Sequence, residues 1–331
     1  MVIAIRADGG SKIGMGHIMR TLVLSKELSK NNDVFYVCRV DKSLTDKYKT
    51  GIEKIKSEGF YVKEIRENFI LYDMKNITAD LLITDSYAVN ELYFDETKKM
   101  FNYTAYIDDM NLFYYNVDFL INQNINALDF KYKANDATRL LLGSKYVMLR
   151  DEFRNVPHKN IKEKPENIMI TVGGSDPNHI TEHILNCIKP LKYNFHVIVG
   201  PSFEKDNNLK KFSGENIKLY YNGDMLKIMQ KCDIAISASG STLYELAACG
   251  VPTLGLIAAD NQQGIAEKMD ELGILINMGW YNKLPREVLI NNITSFCDNF
   301  TLRKEISERA KCKIDGKGAN RIVESLKAAR R

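Results

Sequence analysis

Long apolar runs are missing from this sequence of 331 residues, and none approaches the ~20 residues that a membrane-spanning helix needs. A large excess of one charge is missing too, because 46 basic residues are balanced by 42 acidic ones and the net charge is +4. Proteins that bind duplex nucleic acid more often concentrate basic residues in a stripe. These absences argue against a membrane protein and against a nucleic-acid partner.

Paired cysteines are also missing, since none of the six cysteines forms a C-x-x-C pair. Neither a zinc site nor a redox motif is therefore indicated. The cysteines are scattered among apolar segments, which predicts reduced, buried thiols in a cytoplasmic protein. The N-terminal MVIAIRADGG lacks a basic leader and a cleavage site, so we interpret it as a first strand.

What the chain does contain is a regular alternation of short apolar runs with amphipathic, lysine-rich segments. Most of the runs are apolar along their whole length, which is typical of parallel strands covered on both faces. The predicted strands are VIAIRAD, DVFYVCR, FYVKEI, DLLITDS, YTAYIDD and FLINQN in the first half and NIMITVG, FHVIVG, IKLYYN, CDIAISAS, VPTLGLIA and GILINM in the second. We predict an α/β protein with two doubly wound domains.

The domain boundaries follow from composition. The length suits two domains of about 150 residues. We predict an N-terminal Rossmann-like domain over 1–150, a charged linker over 151–166 and a C-terminal Rossmann-like domain over 167–310. A helix over 311–331 completes the chain, and the sequence leaves open whether it returns to the N-terminal domain.

Three strand–loop–helix junctions in the second half fit a nucleotide. At the first, Gly173, Gly174 and Ser175 let backbone N–H groups approach a phosphate, although a tight turn uses the same residues. At the second, Ser241 and Thr242 start a helix. The third is Asn261-Gln262, which again opens a helix, so that Asn261 is either a ligand contact or an N-cap.

Glu245 has two interpretations. In the first, Thr242-x-x-Glu245 is a capping box, with both side chains engaged by the helix end. In the second, the two carboxylate oxygens of Glu245 accept hydrogen bonds from a ribose diol.

The first half carries the glycine turn Gly14-Met15-Gly16-His17. At a helix N-terminus the dipole disfavours the imidazolium form, so His17 suits a general base. It fits equally a helix cap or a phosphate contact. Arg20, one turn later, is either a diphosphate contact or a solvated arginine.

Tyr87 and the adjacent pair Asp108-Asp109 follow two further predicted strands. Tyr87 either packs at a domain edge or faces a ligand. The aspartate pair suggests a metal site, but adjacent residues at a strand end point to opposite faces, which disfavours one shared ion.

In this order these motifs resemble the PseG family of UDP-2,4-diacetamido-2,4,6-trideoxy-β-L-altropyranose hydrolases. That family is similar to the MurG-type glycosyltransferases and to SpsG-like spore-coat polysaccharide proteins. The resemblance implies a GT-B fold, with two doubly wound Rossmann-like domains facing each other across a cleft. The matching residues extend over nearly the whole chain and are Arg6-Ala7-Asp8, Gly14-x-Gly16-His17-x-x-Arg20, Asp85-x-Tyr87, Asp108-Asp109, Leu149-Arg150-x-x-Phe153, Gly173-Gly174-Ser175-Asp176, Glu245 and Asn261-Gln262.

The resemblance also implies a function. His17 would activate water for inverting attack at the anomeric carbon, Tyr87 would face the sugar, and Asn261 would contact the sugar diphosphate. Gly14 and Gly16 would clear space beside His17. We expect a monomeric hydrolase in pseudaminic acid synthesis that takes a UDP-sugar and needs no metal or cofactor.

Two rival functions are kept and a third is disfavoured. One is a GT-B glycosyltransferase that transfers an amino sugar from UDP in surface or spore-coat polysaccharide synthesis. Another is a non-catalytic nucleotide-sugar binding subunit. An oxidoreductase is disfavoured, because Met19 stands where a dinucleotide fingerprint needs its third glycine. The sugar itself is left open, since it depends on loops around Tyr87, Asn122, Asn124 and Asn261.

Overall fold

The computed structural model describes residues 1–10, 13–41, 46–201, 203, 208–221 and 223–328. They form two compact units. The first comprises Met1–Leu149 and the segment from Lys317 onward, and the second comprises Arg150–Gly316. Ser11 and Lys12, which precede the glycine turn Gly14-Met15-Gly16-His17, lie outside the described residues.

The first unit is built on a parallel sheet of seven strands in the order β3-β2-β1-β4-β5-β7-β9. A separate pair, β6 with β8, is also parallel. The strands are β1 Val2–Ala7, β2 Asp33–Val40, β3 Val62–Arg66, β4 Leu81–Asp85, β5 Tyr103–Ile107, β6 Tyr114–Tyr115, β7 Phe119–Asn122, β8 Lys133–Ala134 and β9 Arg139–Leu142.

Within the described part of the first unit there are five α-helices, and one of them comes from the far end of the sequence. Strand β4 is buried along its whole length, as expected for a central strand covered by helices on both faces. The helices are α1 Gly16–Leu28, α2 Asp46–Ser57, α3 Ile70–Met74, α4 Glu91–Met100 and α11 Gly318–Ala328.

The second unit repeats the plan with a parallel sheet of six strands in the order β12-β11-β10-β13-β14-β15. Its strands are β10 Asn167–Thr171, β11 Asn194–Val199, β12 Ile217–Tyr221, β13 Ile234–Ala238, β14 Thr253–Ile257 and β15 Ile276–Trp280. Its helices are α5 Ile180–Ile188, α6 Met225–Lys231, α7 Thr242–Ala248, α8 Asp260–Glu271, α9 Arg286–Asp298 and α10 Phe300–Lys313. The predicted α/β class is confirmed, and all twelve predicted strands are present.

Residues 151–166, predicted as a linker, lie within the second unit. Phe153 is buried there. The buried guanidinium of Arg303 on α10 donates to the carbonyl oxygens of Lys162 and Glu163, each at 2.8 Å. After a short 3-10 turn over Asp151–Phe153 the segment has no regular secondary structure, but it is fixed by side chains of its own unit, which composition alone does not reveal.

Helix α11 belongs to the first unit. Its apolar residues Ala319, Ile322, Val323 and Leu326 are buried in the same cluster as Ile18 and Leu22 of α1. The predicted tail of 311–331 therefore divides: α10 ends in the second unit at Lys313, and α11 packs in the first.

Five of the six cysteines are buried, but Cys312 on α10 is exposed, so the expectation of six buried thiols is wrong at that position. It lies near the helix end between Lys311 and Lys313, on the solvent side of α10. In the ranges that the structure describes, no helix has the length and apolar character to cross a membrane.

Candidate active site

The candidate catalytic residues of the first unit gather where its strand order reverses. Strand β1 pairs with β2 on one side and with β4 on the other. In open parallel sheets, ligands bind at this reversal, beyond the carboxyl ends of the strands. Helix α1, which carries His17, follows β1, and Asp85 is the last residue of β4.

The turn before α1 is shaped by glycine. Gly10 and Gly14 exchange two backbone hydrogen bonds, and Gly14 has a φ of 81°, which favours glycine. A Cβ atom at Gly14 or Gly16 would have no described atom within 4 Å. The turn thus leaves open space beside the first turn of α1.

His17 is buried to 7% exposure and is oriented by one carboxylate. Its Nδ1 lies 2.6 Å from Oδ1 of Asp85. A carboxylate accepts only, so Nδ1 carries the proton and donates it to Asp85. Nε2 is then the nitrogen with a free lone pair, and it has no hydrogen bond to any described residue.

Arg20 connects two carboxylates. Its Nε and Nη2 donate to the two oxygens of Asp85, each at 2.6 Å, and its Nη1 donates to Oδ1 of Asp109 at 2.7 Å. Burial alone would raise the pKa of the Asp85 carboxyl, but Arg20 and His17 outweigh it and lower that pKa to about 2. The interpretation of Arg20 as a solvated arginine is therefore wrong, because its guanidinium is largely buried and paired with two protein carboxylates.

Asp109 accepts hydrogen bonds from two further groups of the first unit. Besides Arg20, it accepts from the Tyr87 hydroxyl at 3.0 Å and from Nδ2 of Asn124 at 3.1 Å. The Tyr87 ring meets the His17 ring edge-on, with centroids 4.6 Å apart. Burial, with the Asp109 carboxylate, raises the pKa of Tyr87, so its hydroxyl remains a donor. Tyr87 is 52% exposed and reaches solvent beside His17.

The positive and negative charges around His17 do not balance. We call His17, Arg20, Asp85 and Asp109 the His17 cluster. With a neutral imidazole it holds two carboxylates and one guanidinium, hence one net negative charge.

Asp108, next to Asp109, has a different set of partners. It is buried, and it accepts from the hydroxyls of Tyr115 at 3.0 Å and Tyr132 at 2.8 Å. Tyr132 also accepts from Nδ2 of Asn122. The two aspartates therefore point into different environments. Among the described residues, no group of three or more His, Cys, Asp or Glu side chains is arranged to hold a metal ion.

In the second unit, the three predicted junctions follow β10, β13 and β14, which are neighbours in its sheet. The strand order reverses between β10 and β13, so the loops lie at a second reversal point. Among the described residues, the backbone amides of Gly174, Ser175, Ser241, Thr242 and Asn261 have no hydrogen-bond acceptor. Free amides at helix starts suit an anion.

The first junction is held by Asp176. Its carboxylate accepts from the amides of Ile180 and Thr181, each at 2.8 Å, and so caps α5. Gly173 has a φ of 103°, and a Cβ atom at Gly200 would lie 2.5 Å from the carbonyl oxygen of Gly173. The glycines therefore permit a close backbone approach, while Asp176 leaves the amides of 174 and 175 to a ligand.

At the second junction the capping-box interpretation of Glu245 is wrong. The N-cap of α7 is Ser241, and its side chain makes no capping hydrogen bond. Glu245 instead accepts from Nε and Nη2 of Arg150, at 3.1 and 3.0 Å. Both bonds end on Oε1, and burial raises the pKa of Glu245 against the opposing effect of Arg150.

At the third junction, α8 begins at Asp260 with Ala259 as its N-cap, and no side chain caps it. The interpretation of Asn261 as an N-cap is therefore wrong, and its side chain is exposed. Gln262 turns back, and its Oε1 accepts from the amide of Ala258 at 3.0 Å. Gln262 thus fixes the loop, whereas Asn261 is open to a ligand.

Sequence reasoning did not select Asp85, Asp109 or Arg150 as site residues. A weak signal exists for Asp85, because it ends the apolar strand beside β1. No local sequence pattern distinguishes Asp109 or Arg150 from an ordinary surface residue. Their partners, Arg20 and Glu245, lie 89 and 95 residues away in the sequence.

Comparison with known proteins first defines the class. The crystal structure of MurG from Acinetobacter baumannii matches with a TM-score of 0.70, 14% identity and coverage of 99% of both chains. Residues 167–321 match the model of the glycosyltransferase family 28 C-terminal domain. The chain thus has the GT-B fold and is related to sugar-nucleotide enzymes of that fold.

Sequence relatives then narrow the comparison. The chain is 24% identical over 344 residues to the spore coat polysaccharide biosynthesis protein SpsG of Bacillus subtilis, covering 98% of each chain. It is 25% identical over 286 residues to the UDP-2,4-diacetamido-2,4,6-trideoxy-beta-L-altropyranose hydrolase of Campylobacter jejuni, covering 82% of this chain and 97% of that one. These homologues confirm the predicted family-level resemblance.

A third relative is longer. The uncharacterized protein MJ1062 of Methanocaldococcus jannaschii is 30% identical over 282 residues, which are 80% of this chain. The match spans only 57% of the length of MJ1062.

Proposed function

We propose that the protein hydrolyses a UDP-linked sugar at the anomeric C–O bond, and that the sugar is a 2,4-diacetamido-2,4,6-trideoxy hexose. The observation that carries the proposal is the buried Asp85–His17 pair at the strand-order reversal of the first unit. A histidine whose Nδ1 proton is held by a carboxylate presents Nε2 as a general base. The Campylobacter jejuni relative carries that hydrolase name.

The proposed reaction proceeds by inversion. Nε2 of His17 takes a proton from water as the water oxygen bonds to the anomeric carbon. The bond from that carbon to the diphosphate oxygen breaks, and its electron pair leaves with UDP. The negative charge of the His17 cluster stabilises the imidazolium that forms, while the Tyr87 hydroxyl and ring border the sugar.

In this proposal the second unit holds the nucleotide. The free amides at its three junctions stabilise the diphosphate, whose charge needs no proton in order to depart. Glu245 accepts from the ribose hydroxyls, and Asn261 contacts the sugar diphosphate. No acidic pair at glycosidase spacing and no metal ion is required. We propose a monomeric enzyme of the cytoplasm, whose free sugar feeds pseudaminic acid synthesis for surface glycans.

The test is incubation of the protein with UDP-2,4-diacetamido-2,4,6-trideoxy-β-L-altropyranose in H₂¹⁸O with EDTA and no acceptor. We expect UDP and free sugar in equal amounts, UDP without ¹⁸O, and inverted configuration in the first NMR spectra. Label in UDP would mean P–O cleavage and would contradict the proposed bond. A panel of other UDP-acetamido sugars, run in parallel, defines the sugar.

A glycosyltransferase is the second candidate, and the full-length match to SpsG together with the family 28 domain favours it. In that case His17 would deprotonate an acceptor hydroxyl rather than water. UDP release only after addition of an acceptor would support the transferase. Tight UDP-sugar binding without release under either condition would support a binding subunit.

A further inference from the structure

We infer that Arg150 is a positioning residue that sets Glu245 to recognise the ribose of the nucleotide, and that it thereby makes the second unit select ribonucleotides over 2′-deoxyribonucleotides. The inference rests on the proposed function, in which the second unit holds UDP. It concerns a residue outside the predicted site and a specificity that the fold alone does not define.

The first step is the geometry of the pair. Arg150 donates to Glu245 from both Nε and Nη2, and both hydrogen bonds end on Oε1. Among the described residues no group donates to Oε2. One carboxylate oxygen is therefore fixed by the protein and the other remains an acceptor, in an orientation set by a planar guanidinium.

The second step is that Arg150 is itself held. Its Nη1 forms an ion pair with Oε1 of Glu152 at 2.9 Å, and its guanidinium lies over the Phe153 ring, 4.9 Å from the centroid. The arginine is thus fixed by an ion pair, a ring and Glu245, so it can transmit a defined orientation. A flexible surface arginine would not.

The third step is the environment of the carboxylate. The Glu245 side chain is only 16% exposed. A carboxylate that is this buried stays charged only beside a cation. Among the described residues, Arg150 forms the ion pair with Glu245. Glu245 lies in the first turn of α7, which follows β13 at the strand-order reversal of the second unit.

The fourth step is the ligand chemistry. A ribose offers two vicinal hydroxyl donors, and the two lone pairs of the free carboxylate oxygen Oε2 can accept both. Loss of the 2′-hydroxyl leaves a charged acceptor without its donor. A hydrogen bond to a charged group contributes about 1.5–3 kcal/mol, which corresponds to roughly 10–100-fold in affinity.

The experiment measures affinities of UDP and 2′-deoxy-UDP by calorimetry for the full chain, for Arg150→Met and for Arg150→Lys. We expect the wild type to prefer UDP by tenfold or more. Arg150→Met should lower the ratio of the two affinities at least fivefold, chiefly by weakening the binding of UDP. Arg150→Lys should retain part of the wild-type ratio. Arg286→Met, an exposed arginine on α9, is the matched control and should keep the wild-type ratio.

The outcomes separate the two proposals. If folded Arg150→Met keeps the full preference for UDP, or if the wild type binds both nucleotides equally, the role of Arg150 is wrong while UDP binding stands. If the wild type binds neither nucleotide, the proposed function fails with it. Unfolding followed by Trp280 fluorescence, which reports from the second unit, establishes that each variant is folded.

Discussion

His17 has one ring nitrogen bound to Asp85 and one without a described hydrogen bond, and the proposed role as a base depends on this division. Replacement by Asn removes the base and keeps a polar side chain of smaller size. We expect His17→Asn to lower the turnover of UDP-sugar by about 10²–10⁴-fold, the usual contribution of a general base. Calorimetry should give a UDP affinity within about twofold of wild type. Hydrolysis at the wild-type rate would contradict the assignment.

Asp85 sets the orientation of His17 and the position of its ring proton. An amide at position 85 would donate to Nδ1 and move the proton to Nε2, so that the base is lost. We expect Asp85→Asn to lower kcat by at least about 100-fold with little change in KM. Asp136→Asn, an exposed carboxylate elsewhere in the first unit, is the control and should retain activity. A changed KM with an unchanged kcat would instead assign Asp85 to substrate binding.

Individual site candidates could be selected from the sequence only where residue type and chain position agreed. A histidine in a glycine turn at the start of the first helix suits a base as well as a cap or a phosphate contact, so His17 could be selected as a candidate. Arg20 was left between two interpretations, because a carboxylate partner 65 residues away leaves no local trace. The same distance effect made Glu245 look like half of a capping box, when its partner Arg150 precedes it by 95 residues.

At the scale of elements, the Asp85 carboxylate joins the end of β4 to the first turns of α1. Its pKa is lowered to about 2 in the folded protein, below the unfolded value of about 3.9. The resulting stability is present above about pH 4 and is lost as the pH falls towards 2. It amounts to about 2 kcal/mol.

This contribution can be isolated. We expect the difference in free energy of urea unfolding between the wild type and Asp85→Asn to shrink by about 2 kcal/mol from pH 6 towards pH 2. Far-UV circular dichroism measures both proteins across that range. A difference that stays constant with pH would mean that the carboxylate is not held in its charged form by Arg20 and His17.

The strands of both sheets could be predicted because buried parallel strands are apolar throughout. The missed strands are the short pair β6 with β8 and the edge strand β9. Strand β9, Arg139–Leu142, has two exposed residues of four, and β6 and β8 have two residues each. Such segments carry too few buried positions to show a pattern.

At the scale of the whole molecule, each unit has its own core and can be weakened separately. Ile322 on α11 and Ile293 on α9 are both fully buried, in different clusters. Replacing either by Ala should cost about 2–5 kcal/mol. The single tryptophan, Trp280, lies on β15 of the second unit and so reports on that unit alone.

We expect Ile293→Ala to shift the unfolding transition seen by Trp280 fluorescence. Ile322→Ala should leave that transition near its wild-type position and shift the one seen by far-UV circular dichroism. An equal shift of the fluorescence transition by both variants would show that the two units unfold as one.

The unit boundaries were the least predictable feature. The segment 151–166 looks like a linker because it is charged and contains prolines, yet backbone carbonyls within it bind Arg303 from more than a hundred residues away. Composition indicates whether a segment is polar enough to be exposed to solvent, but not which distant side chains donate hydrogen bonds to its carbonyl groups.

The return of α11 to the first unit has a consequence for synthesis. The second unit is a continuous stretch, Arg150–Gly316, whereas the first lacks Ala319, Ile322, Val323 and Leu326 until the last part of the described chain has been made. Domains commonly fold on the ribosome in the order of their synthesis. Here the unit that contains β1 receives its last core residues only after the whole of the second unit has been made, so the surface of α1 stays uncovered until α11 follows.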